Sequence, residues 1–247
     1  MKIEICVDNI ESALLAQYAG ADRLELCGCL ALGGVTPPYS LIKVAVNLCD
    51  IPCYVMIRPR AGDFLFSDLE VEMMEQDIYM AKQLGAQGVV IGALTPQATI
   101  DVTCCQRLVK AAMGMGITFH RAFDLCADPY IALEQLIELG CERVLSSGQQ
   151  RSAFEGKETL HKLVQQAQGR INIMAGAGIN LHHAKALAEL TKVDELHLSA
   201  KTYRQSQMAS ENSAVMGNHA EDDNKIWTCD TKQIEAIKQL FNSMNTK

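Results

Sequence analysis

Five short apolar runs in this sequence carry chemically active side chains at every second position. Glu4, Cys6 and Asp8 alternate with Ile3, Ile5 and Val7, and Glu25 and Cys27 alternate with Leu24 and Leu26. Met56 and Arg58 alternate with Val55 and Ile57, and Thr118 and His120 with Ile117 and Phe119. Glu195, His197 and Ser199 alternate with Leu196 and Leu198. Alternate residues of a strand share a face. If the apolar set faces a layer of helices, then carboxylates, imidazoles, thiols and a guanidinium face the other way. Buried charges left unpaired are costly, so such a set must pair, hydrate or bind something. Two chemistries fit the residue types. Glu4, Glu25, His120 and His197 are candidate acid–base groups for proton transfer. Cys6, Cys27 and Met56 offer the thiolate and thioether sulfur that Cu(I) prefers. A hydrated ion-pair network that merely fills the interior is the competing account.

Strand ends and the loops after them supply further candidates. Asp8, Arg58 and Ser199 fall where their strands end, and Ser146 closes the sixth strand. Arg58 and Arg60 flank Pro59, ahead of a turn through Ala61-Gly62-Asp63-Phe64. Two guanidinium groups beside a glycine turn suit a carboxylate or phosphate, although internal pairing with Asp63 or Glu25 would use them up. Gly176-Ala177-Gly178-Ile179-Asn180 leads from the seventh strand into a helix, where Gly176 and Gly178 could offer backbone N–H groups to a phosphate. Cys104 and Cys105 are adjacent on one helix and diverge, so they are poor joint ligands. The chain holds no CxxC or HExxH spacing.

These side chains need a scaffold, and the periodicity supplies one. Strands are expected at Lys2 to Val7, Arg23 to Cys27, Cys53 to Arg58 and Gly88 to Ile91. Four more follow at Ile117 to His120, Arg143 to Ser146, Ile171 to Met174 and Glu195 to Leu198. A helical segment follows each. Ser67-Asp68-Leu69-Glu70 reads as a capping box, with Leu69, Met73, Met80 and Leu84 as the inner stripe. Asp128-Pro129 opens a helix carrying Ala132, Leu133 and Leu136, and Asp230 opens the last, with Ile234, Ile237, Leu240 and Phe241 inside. Gly20, Gly85 and Gly140 each stop a helix just before a strand. A cadence of roughly 20–35 residues repeated eight times without a break favours a closed (β/α)8 TIM barrel, an α/β fold, over a doubly wound open sheet.

The chain is expected to form one domain over residues 1–247, since no linker divides it. The one low-complexity stretch, from Tyr203 to Lys225, lies between the eighth strand and its helix. It is expected as a mobile loop over the carboxyl-end face, either solvated or closing as a lid. A net charge of −7 argues against nucleic acid and anionic membranes as partners. No apolar run approaches the roughly 18 residues of a membrane span. Met1 to Asp8 alternate like a strand and show no signal-peptide core, so a cytoplasmic protein with ten reduced cysteines is expected. Self-association into a homo-oligomer is also expected of a barrel this size.

Glu4-Ile5-Cys6-Val7-Asp8 and Leu24-Glu25-Leu26-Cys27, followed by Gly33-Gly34-Val35-Thr36-Pro37, together form a specific pattern. Met56-Ile57-Arg58-Pro59-Arg60 with Gly62-Asp63-Phe64, and Thr118-Phe119-His120-Arg121-Ala122-Phe123-Asp124, extend it. Leu145-Ser146-Ser147-Gly148 and Gly176-Ala177-Gly178-Ile179 complete it. In these motifs the chain resembles the CutC copper-homeostasis family along nearly its whole length. The resemblance implies a cytosolic TIM barrel linked to copper, with Cys27 and the sulfur groups near it as the first places to look for Cu(I). Ala177 stands where the family has a third glycine, and the polar stretch 203–225 lies outside the matching motifs. Two functions follow as expectations. One is a copper homeostasis protein that binds Cu(I) through sulfur. The alternative is a barrel enzyme, a lyase, isomerase or hydrolase, acting at the strand ends on a small anionic metabolite, phosphorylated or not.

Overall fold

A computed structural model of the chain describes residues 1–209, 214 and 223–243. Eight strands close into a parallel barrel in sequence order. They are β1 (Lys2–Val7), β2 (Arg23–Leu26), β3 (Cys53–Met56), β4 (Gly88–Ile91), β5 (Gly116–Phe119), β6 (Arg143–Ser146), β7 (Asn172–Ala175) and β8 (Glu195–Leu198). The ring shuts where β1 pairs with β8, Glu4 opposite His197. Helices α1 (Ile10–Tyr18), α2 (Tyr39–Leu48), α3 (Asp68–Gln83) and α4 (Val102–Ala111) cover one half. Helices α5 (Pro129–Glu138), α6 (Lys157–Ala167), α7 (Ala184–Thr191) and α8 (Thr231–Asn242) cover the other. The expected barrel is therefore present. Its main core lies between strands and helices, where Ile3, Ile5, Leu24, Leu26, Val55 and Ile57 are fully buried.

Local signals place several elements. Ser67 and Glu70 form the capping box reciprocally at the start of α3. Asp128 accepts from Tyr130 N and Ile131 N ahead of α5, and Asp230 from Gln233 N ahead of α8. The inner stripe of α3 differs from expectation. Leu69 and Met73 are exposed, and Val71, Met74, Ile78 and Ala81 face the barrel. Both stripes have helical spacing, and the chosen one also carries small Ala81 for close approach. Strands β2, β3 and β5 end before Cys27, Arg58 and His120, leaving those residues at the barrel rim. The stretch between Tyr203 and Lys225 begins and ends in an antiparallel pair, β9 (Lys201–Gln205) with β10 (Lys225–Cys229), which periodicity does not show. The lid expected there falls largely on residues 210–213 and 215–222, outside the described residues.

Glycines on β4 and β5 make room for one large interior ring. A methyl group on Gly88 or on Gly116 would overlap the ring of Tyr54, which reaches across the barrel from β3. Overfilling a packed interior costs about 1–3 kcal/mol. Gly88→Ala is therefore expected to lower unfolding free energy by about that amount. Urea denaturation measures it, and an unchanged midpoint would show that Tyr54 moves aside freely.

Candidate functional site

The amino-terminal half of the barrel interior is a closed ion network. Arg23 and Arg143 open β2 and β6, and Glu195 opens β8. Arg23 pairs with Glu4 and Glu195, while Arg143 pairs with Glu195 at 3.1 Å and with Glu142. Arg143 also donates to Thr118 Oγ1 at 3.1 Å. Both guanidinium groups lie 5.1 Å from the centre of the Tyr54 ring, whose hydroxyl donates to Glu142 at 2.7 Å. In this half the space-filling account holds, because every charge has a partner.

Above it the balance fails. His197 Nδ1 lies 2.9 Å from Glu4 Oε1, and its Nε2 lies 3.7 Å from Glu25 Oε2. Three cations, Arg23, Arg143 and His197, thus face four carboxyl groups, Glu4, Glu142, Glu195 and Glu25. Glu25 is the surplus one. Burial, and then the charge of Glu4, raise its pKa, and its Oε1 has no hydrogen-bond partner. Glu4 behaves oppositely. Burial works against its charge, but His197 and Arg23 outweigh that and hold its pKa at about 2. For His197 burial likewise opposes the charge, yet Cys6, Glu25 and Glu4 raise its pKa well above the ordinary imidazole range.

Donor atoms of Cys6, Glu25 and His197 all lie within 4.8 Å of one another. Cys27 Sγ donates to Glu25 Oε2 at 3.5 Å, and Cys6, Cys27 and Met56 share one interior cluster with Tyr54 and Val90. The five side chains offer three sulfurs, a nitrogen and an oxygen. Since Glu4 occupies His197 Nδ1, Nε2 is the nitrogen left for a metal, and a carboxylate behind a ligating imidazole is the usual support for one. Burial pushes the Cys27 thiol well above its ordinary pKa, and Cys6 is the cysteine whose sulfur converges with Glu25 and His197 and lines the cavity.

These groups open onto a cavity of about 500 Å³ at the carboxyl ends of the strands. Cys6, Glu25, Met56 and His197 line its floor, with Arg58, Phe64 and His120 on one side and Ser199 and Lys201 on another. His120 Nδ1 accepts from Ala122 N at 3.2 Å, and its Nε2 is unpartnered. Burial, and then neighbouring Arg58, lower its pKa to about 3, so the ring is neutral with its proton on Nε2.

Other expected site residues lie elsewhere. Asp8 sits outside this cavity and accepts from Leu30 N at 3.1 Å. Arg60 is tied to Asp63 and Glu70 on the outer side of its loop, so only Arg58 of the pair reaches the cavity. Ser146 donates to Asp124 at 2.6 Å, and Leu145 takes the inward position of β6. Gly176 and Gly178 do not line the cavity. A methyl on Gly176 would come within 2.5 Å of Leu145 Cδ1 and 3.3 Å of His197 Cβ, so this glycine admits its neighbours' side chains. Ala177 takes the left-handed backbone expected of glycine, with φ 81°, and its carbonyl accepts from Ala153 N at 3.0 Å.

The model of the CutC family matches residues 1–202. The family protein CutC of Histophilus somni is 71% identical over 98% of this chain and 99% of its own length. The chain belongs to the CutC family. A crystal structure from Streptococcus agalactiae, of a CutC protein named for copper homeostasis, superposes with a TM-score of 0.77. It is 34% identical, covering 81% of this chain and 98% of its own. An aldolase at 15% identity superposes at 0.62, which shows the shared barrel alone. The family match ends inside β9, so the rest of the hairpin and α8 lie beyond it. Every side chain at the cavity floor falls within the matched span.

Proposed function

We propose that this CutC chain is a cytosolic copper homeostasis protein that binds Cu(I) as cargo at the floor of its barrel cavity. Cys6 and His197 Nε2 are the principal donors, with the Met56 thioether beside them. The observation that carries this reading is the convergence of Cys6, Glu25 and His197 within 4.8 Å, against a sulfur-rich wall. Soft thiolate and thioether sulfur with imidazole is the donor set that suits Cu(I). Glu25 is a harder ligand, and its raised pKa leaves it better suited to accept or release a proton as the metal arrives. All ten cysteines are free, as a reducing compartment would keep them. The copper role itself comes from the family's name.

Anaerobic titration against a chromophoric Cu(I) chelator tests this. One equivalent is expected to bind, and Cys6→Ser is expected to weaken binding by at least about a hundredfold, in line with loss of the charged ligand. Met56→Leu should weaken it by less. Equal binding by Cys6→Ser and the parent protein would overturn the assignment.

A further inference from the structure

Arg58 is buried and carries a positive charge, with no carboxylate paired to it among the described residues. Its Nη1 donates to Leu32 O at 3.3 Å and Gly34 O at 3.1 Å, and its Nη2 donates to Gly62 O at 2.7 Å. These carbonyls hold the side chain in place but do not neutralise it, and Nε has no partner. Next to it stands His120, also buried, with an unpartnered Nε2. The Phe64 ring packs against both, 4.8 Å from the Arg58 guanidinium carbon and 4.8 Å from the imidazole centre. Among the described residues the other cations lining the cavity are already engaged, His197 with Glu4. Arg121 pairs with Asp124 at 2.8 Å, and Lys201 lies 3.7 Å from the centre of the Trp227 ring.

A buried cation and two buried, idle N–H donors in the wall of a cavity are costly unless something accepts from them. We infer that the Arg58–Phe64–His120 wall is a binding site for a small organic carboxylate, held by Arg58 Nε–H and His120 Nε2–H. A carboxylate offers one oxygen to each of two single donors. A phosphate presents more oxygens and more charge than this pair can satisfy. The acceptor Nδ1 of His120 is fixed by Ala122 N, so the imidazole acts as a donor without having to gain a proton. A cavity of about 500 Å³ leaves space for the rest of a metabolite-sized molecule beside the anchored carboxylate. The site uses none of the proposed copper donors, and it stands whether or not copper binds.

Calorimetric titration of the metal-free protein, kept metal-free with chelator, with pyruvate, malate and inorganic phosphate is the test. The two carboxylates are expected to bind and phosphate not to bind. His120→Asn keeps an acceptor for Ala122 N but removes the Nε2 donor, and Arg58→Lys keeps the charge but removes Nε. Each is expected to weaken carboxylate binding by about tenfold to a hundredfold, the effect of one charge-assisted hydrogen bond. Thermal melts confirm that both variants remain folded. Phosphate binding more tightly than either carboxylate would overturn the ligand class. Absence of carboxylate binding at about 10 mM, or binding unaltered in folded His120→Asn, would overturn the site.

Discussion

Replacing Arg23 with methionine is expected to destabilise the barrel by about 3–5 kcal/mol, the usual result of removing one partner from a buried ion pair. Arg23 bonds to Glu4 and Glu195 at once, and both carboxylates are almost wholly buried. Without the guanidinium, Glu195 keeps Arg143 and Glu4 keeps only His197. Burial would then raise the Glu4 pKa from its value of about 2 toward protonation. The pH dependence follows from that sign. A carboxyl whose folded pKa is depressed contributes stability above its unfolded value, and the contribution is lost as pH falls through the folded pKa. The Glu4 share of stability is therefore complete above pH 4.5 and disappears toward pH 2. Urea unfolding at neutral pH and near pH 4 measures both parts. The deficit of Arg23→Met should shrink at the lower pH, and adding Glu4→Gln should recover part of it at neutral pH. A loss below about 1 kcal/mol would mean that the network contributes no more than a surface pair.

The sequence discloses this interior unevenly, for reasons tied to particular strands. In β1, β2 and β8 polar and apolar residues alternate openly, so Glu4, Cys6, Glu25 and His197 could be assigned inward from phase alone. Arg23 shares the phase of Glu25, yet as the first residue of its strand it reads like a flank. Tyr54 reads as one more apolar residue of β3. On β4 the inward positions are Gly88 and Val90, so that strand alternates in size rather than in polarity, while on β6 they are Leu145 and Arg143, which as the first residue of its strand also reads like a flank. Ser146 stands at the end of its strand like the other candidates, but the phase of β6 gives the inward position to Leu145. The Arg60 partner Glu70 sits in α3, ten residues further on, and no local pattern announces the pair. Tyr203 and Trp227 pack edge to face across the β9–β10 hairpin. That hairpin is largely exposed on both faces, which removes the alternation that would have marked it as strand. Closure of the barrel was legible because it depends on a repeat count. The division of its interior into a paired half and an unpaired half was not, because that depends on which charges meet across the axis.

His120→Asn is expected to make the protein more resistant to mild acid, even though it removes a buried side chain. In the folded chain burial and Arg58 hold the His120 pKa at about 3, against an ordinary value of 6.5. Above pH 6.5 the imidazole is neutral in both folded and unfolded chains and pH has no hold on stability through it. As pH falls from 6.5 toward 3 the unfolded chain takes up a proton that the folded chain refuses, and stability drops. At about 1.4 kcal/mol per pH unit, this one group should cost about 2 kcal/mol between pH 7 and pH 5. His197 has a raised pKa, so its contribution is complete below 6.5 and fades as pH rises; it works against the His120 effect. Glu4 acts only below 4.5 and does not enter this window. Comparing parent and variant at the same two pH values cancels the His197 contribution. Asparagine retains an acceptor for Ala122 N, so the turn after β5 stays capped while the titrating group is gone. Urea unfolding should therefore show a loss on acidification in the parent that is smaller by about 2 kcal/mol in His120→Asn. An equal loss in both proteins would mean that His120 is protonated in the fold. The neutral donor on which the carboxylate site relies would then be a cation instead.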